Sequence, residues 1–392
     1  MRLLSRFKVL DLGTFITAPY AAMLLAELGA DVIKIERPEG GDPFRWFSGG
    51  QSSPHFQAHN RHKRSVALDI TSPRGQEILH QMIREADGLV INVRPGVEKK
   101  LGLSEETLRH LNPRLVFCFI TGFGKDGPYA KRAAYDNVGQ ALSGLLSRFH
   151  EGTDPRVAGP AISDAATGIF GCLGMLAALL EREATGFGRK VEVSMIEATL
   201  ALAIEPLAHY FATGKDQNFF FRSAMSQAYI LTCRDGHRIA LQMSSLEKFW
   251  RGLAAVIEQP DLLERYPDRK CLVANYGKIA QELAAVFATR DRAEWLALLE
   301  QHDVPFVPER RLSELQDDPQ VRQLDLFHDV ADPAGGSVRS VHRAIRIDGS
   351  RTIDFRAPPM LGEHTREVLR ALGISGEAIE DLARQGIVKM TA

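Results

Sequence analysis

Residues 9–36 read "VLDLGTFITAPYAAMLLAELGADVIKIE". "VLDL" (9–12) is an apolar run of strand length. "APYAAMLLAELG" (18–29) sets its apolar side chains at helical spacing and stops at Gly29, and "DVIKIE" (31–36) alternates as a strand. Strand, helix and strand joined by short turns make a βαβ unit. The pattern recurs downstream: "SVALDI" as a strand, "SPRGQEILHQMIREA" as a helix opened by Ser72 and Pro73, "GLVINV" as a strand, "SEETLRHLN" as a short helix and "LVFCFIT" as a strand. Elements of this length in alternation predict an α/β fold, a parallel sheet with helices on its faces.

At 392 residues the chain is too long for one ordinary core, so two folding units are expected. "KVEVSMIEATLALAIEPLAHYFAT" begins as a strand and continues as helix, and near Thr213 the texture changes. "GKDQNFFFRSAMSQ" is linker-like, "AYILTCRDGHRIALQM" is a β-hairpin around Asp235 and Gly236, and helices follow. The expected division is a large domain of residues 1–213 and 326–392, a smaller α+β domain of 222–308, and linkers at 214–221 and 309–325. The tail "RAPPMLGEHTREVLRALGIS" is expected to return to the large domain.

The composition, 45% hydrophobic and 25% charged with a formal net charge of −1, is that of a globular protein. It argues against a nucleic-acid binder or a strongly basic membrane-surface protein, so any anion must be held by local clusters. The apolar stretch at 165–180 falls short of the ~20 residues that a membrane span needs. Cys118, Cys172, Cys233 and Cys271 are scattered without metal-ligand spacing, and three of them sit in apolar surroundings. They read as buried small hydrophobes in a reducing compartment, with no metal site. The opening "MRLLSRFKVLDLG" lacks the apolar core of a signal peptide, and a cytoplasmic protein is expected.

A leading βαβ unit with an acid, Glu36, at the end of its second strand invites a dinucleotide reading. The turn "DLGTFITAP" holds one glycine where the G-x-G-x-x-G fingerprint needs three, so NAD binding is disfavoured. What remains is a set of cations at predicted strand ends: Arg37, the cluster "NRHKRS" (60–65), Arg94, Lys99 and Lys100. Each is compatible with a solvated edge. Together they fall at equivalent ends of neighbouring strands, where open α/β sheets bind ligands, and suit a ligand bearing several phosphates.

In order along the chain stand "APYAAMLLAELGADVIKIERPEGGDPFR", "NRHKRSVALDI", "INVRPGVEKKLGL", "YDNVGQALSG", "GPAISDAATGIFGCLGMLAALLERE" and "PPMLGEHTREVLRALGIS". This series resembles the class III coenzyme A transferases, the formyl-CoA transferase and carnitine CoA-transferase (CaiB/BaiF) type, from about residue 8 to 200 and again from about 355 to 377. The resemblance implies a Rossmann-like, doubly wound large domain built from both chain ends, a smaller inserted domain, and a homodimer whose chains interlock. It implies acyl-CoA and a carboxylic acid as substrates, with coenzyme A as a substrate and no tightly bound cofactor. Residue by residue it carries coenzyme A contacts onto Ile16, Thr17, Arg37, Leu68, Asn92, Val93, Arg94, Lys100, Ala134, Tyr135 and Asp136. Formyl-CoA transferases have glutamine at the position of Ile16, so formyl and oxalyl groups are the less expected cargo.

The position matching the family's nucleophile is Asp164, in "GPAISDAATG". A carboxylate is a poor nucleophile in water, and the small neighbours Ala165, Ala166 and Gly168 leave room for a thioester to reach it. On residue type alone Ser163 and Asp164 read first as a helix cap; the ordered motifs reverse that preference, and the two roles are compatible. The stripe Ala165, Gly168, Gly171, Gly174 and Ala177 reads as close helix packing. An α-methylacyl-CoA racemase of the same fold would use a histidine directly before the acid in "YDN". Here Tyr135 stands in its place, and a phenol is a poor base at neutral pH. A non-catalytic coenzyme A-binding subunit is the remaining alternative.

Overall fold

Six parallel strands and one antiparallel strand form the central sheet of the computed structural model, which describes residues 3–48, 53–150, 155–331, 335–351 and 355–391. In chain order the strands are β1 (Lys8–Asp11), β2 (Asp31–Glu36), β3 (Arg64–Leu68), β4 (Gly88–Ile91), β5 (Val116–Thr121), β6 (Lys190–Ser194), β7 (Ala228–Thr232), β8 (Arg238–Gln242), β9 (Phe306–Pro308), β10 (Phe327–Ala331), β11 (Ser337–Val341) and β12 (Val388–Lys389). The large sheet runs β12-β3-β2-β1-β4-β5-β6. Without β12 this is the 3-2-1-4-5-6 order of doubly wound nucleotide-binding sheets. The tail returns as the sequence predicts: β12 pairs antiparallel with β3, Val388 opposite Leu68.

Alternation along the strands explains the two layers. Leu10, Ile33, Val66, Leu89 and Phe117 face the helices Pro73–Arg84, Thr365–Ala371 and Gly376–Arg384. Val9, Val32, Val90, Val116 and Cys118 face the opposite way, toward α1 (Thr17–Glu27) and a long helix, Ile162–Thr185. A parallel sheet must be covered on both sides, and here it is.

The chain divides into two compact units, Met1–Glu205 with Asp325–Ala392, and Pro206–Leu324. The second unit holds a three-stranded antiparallel sheet, β7-β8-β9, over a core that includes Trp250, Phe287 and Trp295. Asp235 and Gly236 turn the β7–β8 hairpin, with Gly236 at φ +77°. The first division falls at 205 rather than 213, because helix Ile204–Thr213 belongs with the second unit beyond Glu205. Residues 309–325, read as a linker, carry a 3₁₀ turn, Leu312–Asp317, and a short helix, Pro319–Gln323.

Around β2, the carboxyl end of β1 and the residue that precedes β3, six charged side chains are buried together: Asp11, Lys34, Glu36, Asp42, Arg45 and Lys63. The Lys34 Nζ lies 3.0 Å from Asp42 and 3.7 Å from Asp11, and donates to the Gly13 carbonyl at 2.8 Å. The Lys63 Nζ donates to Asp11, Asn60 and the Pro19 carbonyl at 2.7–2.8 Å. Arg45 grips both oxygens of Glu36 at 2.7 Å, and Ser65 adds a third bond at 2.7 Å. Burial alone would push the carboxyls of Asp11 and Glu36 up; the lysines beside Asp11, and the Arg45 bond with its charge beside Glu36, reverse this and hold both below the usual range. Burial, against the pull of Asp11, lowers Lys63 to about 8.

This corrects the reading of "NRHKRS". Lys63 is part of the core, Arg61 donates to Glu27 at 2.6 Å, and Arg64 pairs with Asp31 and Glu367. The cluster is neither a solvated edge nor a phosphate cradle.

Removing one partner from a buried, closed set leaves another charge unpaired, at about 3–5 kcal/mol. Lys34→Met is therefore expected to lower the free energy of unfolding in urea by about that amount. Arg64→Met, at a partly exposed pair, should change it by about 1 kcal/mol or less.

Candidate active site

Between β2 and β4 the winding of the sheet reverses at β1, and ligands of open α/β sheets bind at such a point. A cavity of about 360 Å³ opens there, lined by Ile16, Thr17, Asn92, Val93, Arg94, Ala134, Tyr135 and Asp164. Residues 16 to 164, eight of the positions singled out in the sequence, thus meet around one space. The loop after β1 supplies Thr14 to Thr17, the loop after β4 supplies Asn92 to Arg94, and the segment leading into α2 (Asp136–Leu142) supplies Arg132 to Tyr135. The first turn of α3 (Ile162–Thr185) supplies Asp164, and Met195, which opens α4 (Met195–Leu202), completes the wall.

Hydrogen bonds lock the loop after β1. The Thr14 N–H donates to Asn92 Oδ1 at 2.9 Å, and Asn92 Nδ2 donates to the Thr14 carbonyl and the Thr17 hydroxyl, each at 2.8 Å. Asn92 therefore fastens two cavity walls together. The Phe15 N–H donates to Asp42 Oδ1 at 3.2 Å, and Phe15 sits in the left-handed region at φ +63°, which non-glycine residues seldom adopt. Its ring meets Phe44 edge-on at 5.2 Å and Tyr135 at 6.0 Å.

Helix α3 approaches α1 closely because Gly168 allows it: a Cβ there would fall 3.0 Å from the Thr17 carbonyl and 2.8 Å from Tyr20. Gly171 and Gly174 face Ala21 and Val191 in the same way, so the three glycines of the small-residue stripe form a packing face, whereas Ala177 of that stripe is exposed. The helix is longer than the apolar stretch 165–180 suggests. Its 24 residues are long and apolar enough to cross a membrane, and half of its most apolar window is buried against the sheet and α1.

Neither Ser163 nor Asp164 caps this helix with its side chain. Ser163 is buried, its hydroxyl 2.5 Å from that of Thr199, and the N-cap position is Ala161. The cap comes from α2: the Asp164 N–H donates to Asp136 Oδ1 at 3.1 Å, and Gln140 Nε2 donates to Asp136 Oδ2 at 2.5 Å. Asp136 is accordingly turned into the protein rather than toward the cavity.

The carboxylate of Asp164 has no hydrogen-bond partner among the described residues. Burial, with the charge of Asp136 added, pushes its carboxyl up to about 7. The positive end of a helix dipole would favour the anion, but here it is outweighed.

Three further positions lie elsewhere. Leu68 is 1% exposed and packed in the core beneath the sheet, so its side chain is closed to a ligand. Arg37 follows β2 and Lys100 ends the short helix Val97–Lys100; both are exposed, outside the cavity wall. Sequence reasoning missed Phe15, Arg132 and Met195. Arg132, two residues before Ala134, was the one within reach of a motif; its guanidinium lies 3.9 Å over the Tyr129 ring. Among the described residues no cluster of histidine, cysteine and carboxylate is placed to hold a metal.

A family model described as CoA-transferase family III matches residues 4–365. Succinyl-CoA:glutarate CoA-transferase of Mus musculus is 30% identical over 99% of this chain and 91% of its own length. Formyl-CoA:oxalate CoA-transferase of Escherichia coli O157:H7 is 33% identical over 96% of this chain and 97% of its own. The crystal structure of a CaiB/BaiF family protein from Brucella suis superposes with a TM-score of 0.81 at 29% identity, covering 94% of this chain and 99% of that one. The chain belongs to CoA-transferase family III and is an enzyme of that class.

Proposed function

We propose that this enzyme moves coenzyme A from an acyl-CoA donor to a free carboxylic acid, a small mono- or dicarboxylate, through covalent intermediates on Asp164. The observation that carries the reading is a carboxylate without hydrogen-bond donors among the described residues, at the wall of a cavity of about 360 Å³, among alanines and a glycine. A desolvated carboxylate held against its target is a far better nucleophile than one in water.

In the first step an Asp164 oxygen bonds to the thioester carbonyl carbon, the C–S bond breaks, and coenzyme A leaves as the thiolate. Asp164 is then half of a mixed anhydride. The thiolate attacks the Asp164 carbonyl carbon and expels the donor acid as its carboxylate, leaving an aspartyl-CoA thioester. The acceptor carboxylate attacks the same carbon and expels the thiolate again. Attack of that thiolate on the acceptor's carbonyl gives the new acyl-CoA and returns the Asp164 carboxylate. No water takes part, and the closed loop after β1 helps to keep it out. Arg94, Arg132 and Thr17, the first residue of α1, line the same cavity as Asp164 and supply positive charge and a helix start for negative charge that develops on the acyl oxygen. Arg37, Arg94 and Lys100 suit the phosphates of coenzyme A.

A homodimer fits the outer face of α3. Ile169, Leu173, Ala177 and Leu180 lie there on one exposed stripe, and an apolar stripe of this kind marks a surface for another chain. Three buried cysteines suit a reducing, cytoplasmic setting.

Incubation with acyl-CoA is expected to leave an adduct of coenzyme A mass on the peptide containing Asp164. Asp164→Asn should lose transfer by several orders of magnitude while still binding coenzyme A; undiminished transfer would refute the assignment. Solvent deuterium entering the α position without an acceptor would point to a racemase instead.

A pH dependence follows as well. The folded state holds the Asp164 proton up to about 7, whereas the unfolded chain releases it near the ordinary value of 3.8. Stability therefore falls as pH rises through that window. Asp164→Asn is expected to be more stable than the native enzyme at pH 8, by about 1–2 kcal/mol after solvent screening, and no more stable at pH 4, in thermal melts at both pH values.

A further inference from the structure

We propose that Asp136 is a positioning residue for the reaction rather than a contact to coenzyme A: its carboxylate ties α2 to the first turn of α3 and keeps a second negative charge beside the oxygens of Asp164. The inference rests on Asp164 as the nucleophile and adds how that group is held and made reactive.

The geometry of the clamp is specific. Asp136 Oδ1 accepts the Asp164 N–H at 3.1 Å, so the two carboxylates are fixed through one residue's backbone. Gln140, one turn along α2, fastens Oδ2 at 2.5 Å. Between them, Gly139 lets α2 lie directly against α3: a Cβ there would fall 2.2 Å from Ser163 Oγ. Ser163 is itself anchored to Thr199 of α4. The helix start has no cap of its own, since Ala161 offers none, and α2 supplies it.

The chemistry follows from the difference between the two acids. Among the described residues, the Asp136 carboxylate accepts two hydrogen bonds and that of Asp164 accepts none. Ionised Asp164 therefore carries a partly buried charge, without a donor among the described residues, next to another charge. When its oxygen bonds to the thioester carbon and the thiolate departs, Asp164 becomes neutral and the repulsion is relieved. Asp136 thus favours the covalent form over the free carboxylate. The other charged or titratable groups facing this point are Arg94 from the loop after β4, Arg132 and Tyr135 from the segment before α2, and Tyr20 of α1, which touches Gly168. On α4, Glu197 is bonded to Ser194.

Asp136→Asn retains an oxygen for the Asp164 N–H and, with the Gln140 amide turned over, the second bond; it removes only the charge. The acidic limb of kcat/KM against pH is expected to move down by about one unit, and the aspartyl-CoA adduct at neutral pH to fall several-fold. Asp136→Glu, which keeps the charge, should return the limb toward its native position. A limb that stays in place in Asp136→Asn with the adduct undiminished, or that moves equally in both variants, overturns the proposal. Should Asp136→Asn not fold, Gly139→Ala carries the test: it pushes α2 away without deleting a polar group, and there too the limb must move down. An adduct on Asp164 of the native enzyme upholds the nucleophile whatever these variants do; its absence overturns both readings.

Discussion

Six buried charges under the loop after β1 are the constraint on which the site depends. Three carboxylates, Asp11, Glu36 and Asp42, are matched by Lys34, Arg45 and Lys63 with almost no solvent contact. Such a set gains little over a hydrophobic core of the same volume, because desolvation offsets the attraction. Its effect is geometric. Lys34 holds the Gly13 carbonyl and Asp42 holds the Phe15 N–H, and the chain between Gly13 and Thr17 is left one path. Phe15 sits at φ +63° because that path requires it.

The same network explains why a sheet with nucleotide-binding strand order lacks the glycine-rich turn. In a dinucleotide site the turn after the first strand must let backbone approach a pyrophosphate. Here the turn is closed down onto Asn92 and Asp42, and Phe15, Ile16 and Thr17 line the cavity beside it. The crevice survives as a cavity whose one carboxylate from outside the βαβ unit, Asp164, is brought to its wall by α3. Glycine at 168 is the condition for that, since any side chain would hold α3 off the Thr17 carbonyl.

Asp164 shows the balance between local and distant electrostatics. A helix start should stabilise its anion. Burial and a neighbouring carboxylate act against this and prevail, leaving its carboxyl near 7. The consequence is an acid ionised in good part at neutral pH yet poorly stabilised as an anion, the state in which a carboxylate attacks a thioester most readily. The small-sided surroundings that make this affordable in space also explain why the position draws the eye in the sequence.

Much was legible from the chain alone. Periods of two and of 3.6 residues mark β1 to β6, four of the helices between them and the β7–β8 hairpin, because burial of alternate or every third and fourth side chain is a local pattern; the short helices Pro54–Asn60, Val97–Lys100 and Asp136–Leu142 carry too few turns to show it. Ordered motifs located Asp164 and seven other residues of the cavity wall. The rest was hidden where it depends on partners far along the chain. Lys63 reads as surface charge until Asp11, 52 residues away, is seen beside it, and nothing local in "YDN" tells that Asp136 accepts the N–H of Asp164, 28 residues on. The resemblance carried a coenzyme A contact onto Leu68, but its side chain falls on the buried face of β3. Sequence determines which residues can form strands, helices and a nucleophile, since those properties reside in side chains and their spacing. Only the tertiary structure decides which charges are desolvated and what neutralises them, because solvation and Coulomb energy depend on distances that the chain closes by folding.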